Sequence, residues 1–258
     1  MNDEPCEMLP WDTEFFGFPI ARVNATALTP QLWREVEQWC AARGVRCLYC
    51  FLQPDYRSTR IVEAGGGNLV NVRMNYERRE PARAPAAVAS GNRVREASDA
   101  DTPALERIAA TSHRGRFHHD ERFSNEKADE LYRIWIRKGR LETKDHVLVA
   151  DDPAGVVRGY CACGKNTLAT GEQVGVIEII GVDEAARGVG IGRDLLTAAL
   201  AYFAGAGLTT VRLNTMADNI VAQRLYQRFG FLVIDCEFVY HKWFEVPGPA
   251  GASGGGRG

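Results

Sequence analysis

The spacing Arg187-x-x-Gly190-x-Gly192 follows the apolar run Val-Ile-Glu-Ile-Ile-Gly-Val at 176–182 and precedes a leucine- and alanine-rich stretch at 193–203. A strand that empties through a glycine turn into a helix gathers free backbone N–H groups at the positive end of a helix dipole. Such a place holds a phosphate or another anion. Glycine suits it because a Cβ would block close approach of the backbone. The pattern differs from two other phosphate sites. A P-loop carries Lys-Ser/Thr after its glycines, where this chain has Ile191-Gly192-Arg193. A dinucleotide fold needs Gly-x-Gly-x-x-Gly early in a βαβ unit and an acidic residue about 20 positions on. The expectation is a pyrophosphate cradle built from Arg187, Gly188, Val189, Gly190, Ile191 and Gly192.

Further along, 211–215 reads as a short strand, Asp218-Asn219 as a helix cap and 220–229 as a helix. Gly230 ends that helix, and 231–234 starts the last strand. Asn219 and Tyr226 stand two helical turns apart and share a face. The Tyr226 phenol can deliver a proton to a departing anion; as a plain alternative it is a core tyrosine. Asn219 is a ligand contact or simply the cap. Glu178 lies inside an apolar run, where a carboxylate is costly without a partner or a task; it is a base or a buried structural acid.

The 187–192 loop resembles motif A of the GNAT N-acetyltransferases, and Asn219-x-x-Ala222-x-x-x-Tyr226-x-x-x-Gly230-Phe231 resembles their motif B. Together the two motifs cover residues 93–243 as one domain. The resemblance implies acetyl-CoA as cosubstrate, with its pyrophosphate at 187–192. Its pantetheine arm would pair like an extra strand with Ile180, Gly181 and Val182, and an N–H near Val182 would face the thioester oxygen. Asn219, Ala222 and Tyr226 would also contact the cofactor. Tyr226 would act as general acid, with Glu178 as the candidate base. The implied fold is α/β, a mixed, splayed central sheet with flanking helices, preceded by a smaller α/β domain.

Trp11-Asp12-Thr13-Glu14-Phe15-Phe16-Gly17-Phe18 resembles the N-terminal signature of the dTDP-fucosamine acetyltransferases, as do Arg116-Phe117-His118-His119-Asp120 and Leu131-Tyr132-Arg133-Ile134-Trp135-Ile136. This implies an amine acceptor on a nucleotide-linked, dTDP-type amino-deoxysugar. Phe15, Phe16, Arg116, Phe117, His118 and Asp120 are its candidate contacts. Phe15 and Phe16 read equally as core, and His118 and His119 as a surface pair. Asn71 stands near a position where those enzymes often carry an acid, and an asparagine cannot serve as a base. Two other readings stay open: a GNAT acting on an antibiotic, polyamine or amino acid, and a non-catalytic acyl-CoA sensor. A sensor would be expected to have lost Tyr226 or the glycine loop.

These elements need a frame, and 258 residues give room for one large or two modest domains. The expected division is an α/β domain at 1–80 shaping the acceptor site, a Pro/Ala-rich linker at 81–92, the transferase domain at 93–246 and a Gly-rich disordered tail at 247–258. The first domain reads as strand 20–23, helix 30–43, strand 46–52, helix 55–64 and strand 69–76. The second opens with a strand at Val94-Arg95, then a helix capped by Asp99 and running to Ala110, a helix at 125–137 and a hairpin of 146–151 with 158–164. The net charge of −2, without a polybasic tract, argues against nucleic acid and anionic membrane as partners. The start, Met1-Asn2-Asp3-Glu4-Pro5, has no signal-peptide pattern. Seven scattered cysteines suggest reduced thiols in a cytoplasm. Cys47-x-x-Cys50 has only Cys40 near it in sequence, so no metal is expected. Free strand edges would permit a homodimer.

Overall fold

A computed structural model describes residues 4–81, 91–141 and 146–245. Most of the expected linker and the expected tail lie outside these residues. Contacts divide the chain into two compact units, one of residues up to Val70 together with those from Phe238, the other Asn71–Glu237.

In the first unit, β1 (Cys6–Met8) runs antiparallel to β2 (Ile20–Val23), β2 parallel to β3 (Cys47–Leu52), and β3 antiparallel to the second half of β10 (Leu232–Trp243). Helix α1 (Pro10–Phe16) occupies the stretch quoted above as a signature; Pro10 fits its first turn, and Gly17 ends it at φ +84°. Helix α2 (Pro30–Ala42) has Thr29 as cap, with the Leu32 N–H donating to the threonine hydroxyl. Asp55 caps α3 (Tyr56–Ala64). Trp33, Val36, Trp39, Leu48 and Leu52 fill this unit's core. Cys47 and Cys50 are three apart on a strand and turn to opposite faces. Among the described residues no group of three His, Cys, Asp or Glu stands ready for a metal.

The second unit carries a six-stranded run in the order β4–β9–β8–β7–β6–β5. These are β4 (Gly67–Arg79), β5 (Arg93–Glu96), β6 (His146–Asp151), β7 (Val157–Thr167), β8 (Gln173–Val182) and β9 (Thr210–Met216). Only β8 and β9 pair in parallel; every other neighbouring pair is antiparallel. The first half of β10 lies beside β4, where Asn75 donates to Asp235 and Arg73 pairs with Glu237 at 3.0 Å.

One face of this sheet packs on α6 (Ile191–Gly205) and α7 (Ile220–Arg228), through Ile177, Leu195, Leu196, Phe203, Leu213 and Tyr226. The other face, over β6 and β7, packs on α4 (Thr102–Ser112) and α5 (Asn125–Leu141), through Leu105, Ile108, Ile136, Val149 and Tyr160. Asp99 is not the cap of α4, as its sequence suggested. A 3-10 turn spans Asp99–Asp101, and the Asp101 carboxylate accepts from both the N–H and the hydroxyl of Ser98. Arg95 clamps that carboxylate and Asp151 together. Its hydrogen bonds hold the Asp101 carboxyl far below the usual range, against the opposing effect of burial.

The glycine at 175 is where β8 meets α6. A methyl there would stand 2.6 Å from Phe203 Cδ1, on a ring with no exposed surface. Gly175→Ala is expected to cost about 1–3 kcal/mol through overpacking. Chemical denaturation reads this directly, and an unshifted midpoint would show that the α6 contact has slack.

Candidate functional site

The β8–β9 pairing is short. Gly175, Val176 and Ile177 face Val211, Arg212 and Leu213, and pairing stops there, while β8 continues to Val182 and β9 to Met216. On its other edge β8 stays bonded to β7 up to Val182 opposite Gly159. Residues 178–182 therefore have one paired edge and one open edge. Alternate residues there turn N–H and C=O groups toward a gap that an extended ligand can fill in the manner of a strand.

The divergence begins at a bulge. Ala162 faces Ile179 and Cys163 faces Ile177, so Glu178 is the extra residue. Its consequence is a change of phase. Ile177, Ile180 and Val182 pack toward α6 and α7, whereas Ile179 and Gly181 join the side of Tyr160 and Ala162. Glu178 also turns to that side, with its carboxylate lying where a Cβ on Gly164 would be. The sequence left Glu178 as a base or a buried structural acid; the second is corrected, because the bulge lifts the residue out of the apolar alternation and exposes it.

At the far end of β8, Asp183 fixes the turn. It pairs with Arg107 at 3.0 Å and Arg158 at 3.4 Å and accepts from the Ala185 N–H. Burial would raise its carboxyl, and the hydrogen bonds outweigh that, so the group stays ionised below the usual range. Gly188 and Gly190 then adopt φ +84° and +95°, which L side chains seldom allow. Gly190 is the N-cap of α6 and has no side chain to satisfy the helix. Helix geometry leaves the N–H groups of Ile191, Gly192 and Arg193 without an intrahelical acceptor. Gly192 is different in kind. A Cβ there would make only ordinary contacts, 3.4 Å to Leu225 and 3.7 Å to Val182, so the protein's own packing does not demand glycine. The bare position leaves room for an anion beside these N–H groups. Arg187 is half exposed and stands 3.7 Å from Glu184, with Val189 at the exposed crest.

Tyr226 lies in the core on the α7 side of the gap, 4% exposed, with its ring 5.9 Å from Tyr76 and 6.1 Å from Phe231. Burial pushes its phenol well above the ordinary value, and nearby Cys161 and Tyr76 push the same way, so it remains protonated. Asn219 caps α7, accepting from the Ala222 N–H at 3.2 Å. Gly230 closes the helix at φ +74°, and the Phe231 N–H returns to the Tyr226 carbonyl.

The loop after α4 comes to the same end of the sheet. The Ser112 hydroxyl donates to the Val182 carbonyl at 2.9 Å, and His119 stands 4.0 Å from Asp218. Inside the loop, His118 is not a surface residue, as the sequence allowed. Its side chain is 2% exposed, it accepts from the Gly115 N–H, and it pairs with Asp129 at 2.9 Å. Phe117 is buried edge-on against Phe123, the Arg116 guanidinium lies over its ring, and Asp120 holds the turn at Arg122. Phe15 and Phe16 belong to the first unit, in a run of ring contacts from Trp11 to Phe18. His113 was not singled out in the sequence. It bonds the Tyr160 hydroxyl at 2.8 Å and stacks on Tyr132. Burial, with Arg187 and His118 adding to it, pushes its imidazole down to about 4.

A family model described as the acetyltransferase (GNAT) family matches residues 103–231, half of the chain. The curated relatives include a mycothiol acetyltransferase of Cellulomonas flavigena, 43% identical over 84 residues, which are 33% of this chain and 23% of that protein. One from Arthrobacter sp. is 35% identical over 94 residues, 36% of this chain and 29% of that one. The matched stretches thus span about a quarter of those relatives' length. Among solved structures, a GCN5-related N-acetyltransferase from Sphaerobacter thermophilus superposes with TM-score 0.66 at 19% identity, covering 92% of this chain and 76% of that one. A tandem GNAT protein from the clavulanic acid pathway gives 0.58 at 16%, covering 87% and 75%. No helix among the described residues is long and apolar enough to cross a membrane.

Two tests follow. Gly192→Ala should leave the denaturation midpoint nearly unchanged and weaken coenzyme A binding on the order of tenfold or more; equal affinity would remove the cradle. For His113, the folded imidazole resists protonation until about pH 4, while the unfolded one accepts a proton near 6.5. Stability should therefore be intact above 6.5 and fall by up to about 3 kcal/mol as pH drops toward 4. That slope should flatten in His113→Gln.

Proposed function

Since the chain belongs to the GNAT acetyltransferase family, we propose that it is an acetyl-CoA-dependent N-acetyltransferase of a small amine. The observation that carries this reading is the open edge of β8 at 178–182, running from the exposed Glu178 to a glycine turn at the start of α6, with the buried, protonated Tyr226 on the α7 side.

The cradle at 187–192 takes the pyrophosphate of acetyl-CoA by backbone N–H groups, and Ile180, Gly181 and Val182 pair with its pantetheine arm. The loop lies just beyond Val182, so the arm runs back along β8 toward the bulge. This brings the thioester toward Ile179 and Ile180, deeper than Val182. A backbone N–H there stabilises the developing oxyanion. The neutral amine attacks the carbonyl carbon directly; the C–N bond forms, and the C–S bond breaks as the tetrahedral adduct collapses. Glu178, or water ordered by it, removes the amine proton. Tyr226 gives its proton to the leaving thiolate and recovers one from solvent. Glu178 and Tyr226 lie on opposite faces of β8, so acid and base act on the gap from two sides without neutralising each other. Asn219 and Ala222 border the cofactor from the start of α7.

For the acceptor, the mycothiol acetyltransferases among the relatives favour the kind of amine those enzymes acetylate. A nucleotide-linked amino-deoxysugar is the second reading. It rests on the Trp11–Phe18 stretch and on the loop with Arg116, Phe117, His118 and Asp120. A thiol-release assay with acetyl-CoA and both acceptor classes tells them apart. Tyr226→Phe should lower kcat by about 10- to 100-fold with unchanged acetyl-CoA affinity. An unchanged kcat would remove the tyrosine as the acid.

A further inference from the structure

The face of the second unit's sheet opposite α6 and α7 carries a row of polar side chains beginning at the bulge. Pairing in β8–β9 ends with Ile177 level with Leu213, which puts Glu178 one step on, level with Asn214. Asn214 is the cross-strand partner of Asn75 on β4, and the Asn75 amide donates to Asp235 on β10. Alternation fixes their common side: Leu213, Met74 and Tyr76 pack into the α6 and α7 core, so Asn214 and Asn75 point the other way, as Glu178 does. Glu178, Asn214 and Asp235 are exposed, and Asn75 partly so. Arginine-bridged carboxylates flank the row, Arg212 with Glu77 at 2.8 Å on one side and Arg73 with Glu237 at 3.0 Å on the other. Each of these bridges occupies its own carboxylate and stiffens the strands beneath the row.

We propose that Glu178, Asn214, Asn75 and Asp235 form the acceptor subsite and that they select a polyhydroxylated amine, an amino-sugar unit, presented with its amine at Glu178. This rests on the acetyltransferase reading above. Side-chain amides donate and accept at once, which matches ring hydroxyls that do both. The two carboxylates at the ends attract an ammonium group and accept from hydroxyls. They repel a phosphate, so a substrate phosphate lies off this row. The order along the row also orients the acceptor, because the end that meets the open edge of β8 is the one bearing the base.

The probe is glucosamine, titrated by calorimetry into the full chain with and without coenzyme A, beside glucosamine 6-phosphate and N-acetylglucosamine. Glucosamine should bind best. Asn214→Ala and Asn75→Ala should each weaken it roughly five- to tenfold, the loss of one hydrogen bond, with coenzyme A affinity and denaturation midpoint unchanged. Asn214→Asp, which adds a carboxylate without changing shape, should restore glucosamine and further exclude the 6-phosphate. Failure of glucosamine to bind the wild type, or equal binding by the alanine variants, overturns the subsite. Failure of coenzyme A to bind would instead overturn the acetyltransferase reading, so the two outcomes are separable.

Discussion

Two parallel strands that stop sharing hydrogen bonds after Ile177 and Leu213 set the terms for everything else in the second unit. A parallel ladder is ordinarily kept closed, because an open edge inside a sheet leaves backbone groups unsatisfied. Here the gap is held open from three directions. The Glu178 bulge changes the phase of β8, the Asp183 turn with its two arginines anchors its far end, and Asn219 begins α7 just beyond β9. The gap leaves room for an extended ligand in the place of the missing strand.

The chemistry on the two sides of β8 differs because the environments differ. On the α7 side, Tyr226 lies in a buried cluster beside Tyr76, Phe231 and Cys161, and desolvation keeps its proton in place. On the other side, Glu178 is open to solvent beside a row of amides and carboxylates. Beneath the loop after α4, His113 is held neutral against Tyr160 by burial, so it supports the end of β8 without adding a charge. One sheet thereby carries a buried, protonated phenol on one face and an exposed carboxylate on the other.

Much of this was legible in the residues. The glycine spacing after an apolar run placed the turn and the start of α6, and Asn219 and Gly230 bracketed α7 as caps should. The α/β character followed from the alternation of strands and helices, and the mixed sheet from the resemblance to the GNAT enzymes. Three things were not legible. The exposure of Glu178 depends on a bulge, which arises from the pairing with β7 and leaves no mark in β8's own pattern. The burial of His118 depends on Gly115 and Asp129 closing around it. The row through Asn214, Asn75 and Asp235 joins residues far apart in sequence, and polar residues at alternate strand positions look the same whether they bind a ligand or only face water. The cap of α4 was misplaced by two residues for a local reason: in Ser98-Asp99-Ala100-Asp101 the second aspartate is the one that can reach back to Ser98.

Amide hydrogen exchange across 178–182 reads whether a ligand fills the open edge of β8. With acetyl-CoA bound, amides in this stretch that turn toward β9 should become strongly protected, together with Gly188 to Arg193, while those already bonded to β7 change little. Protection confined to other parts of the chain, with 178–182 exchanging as in the free protein, would mean that acetyl-CoA does not pair with β8.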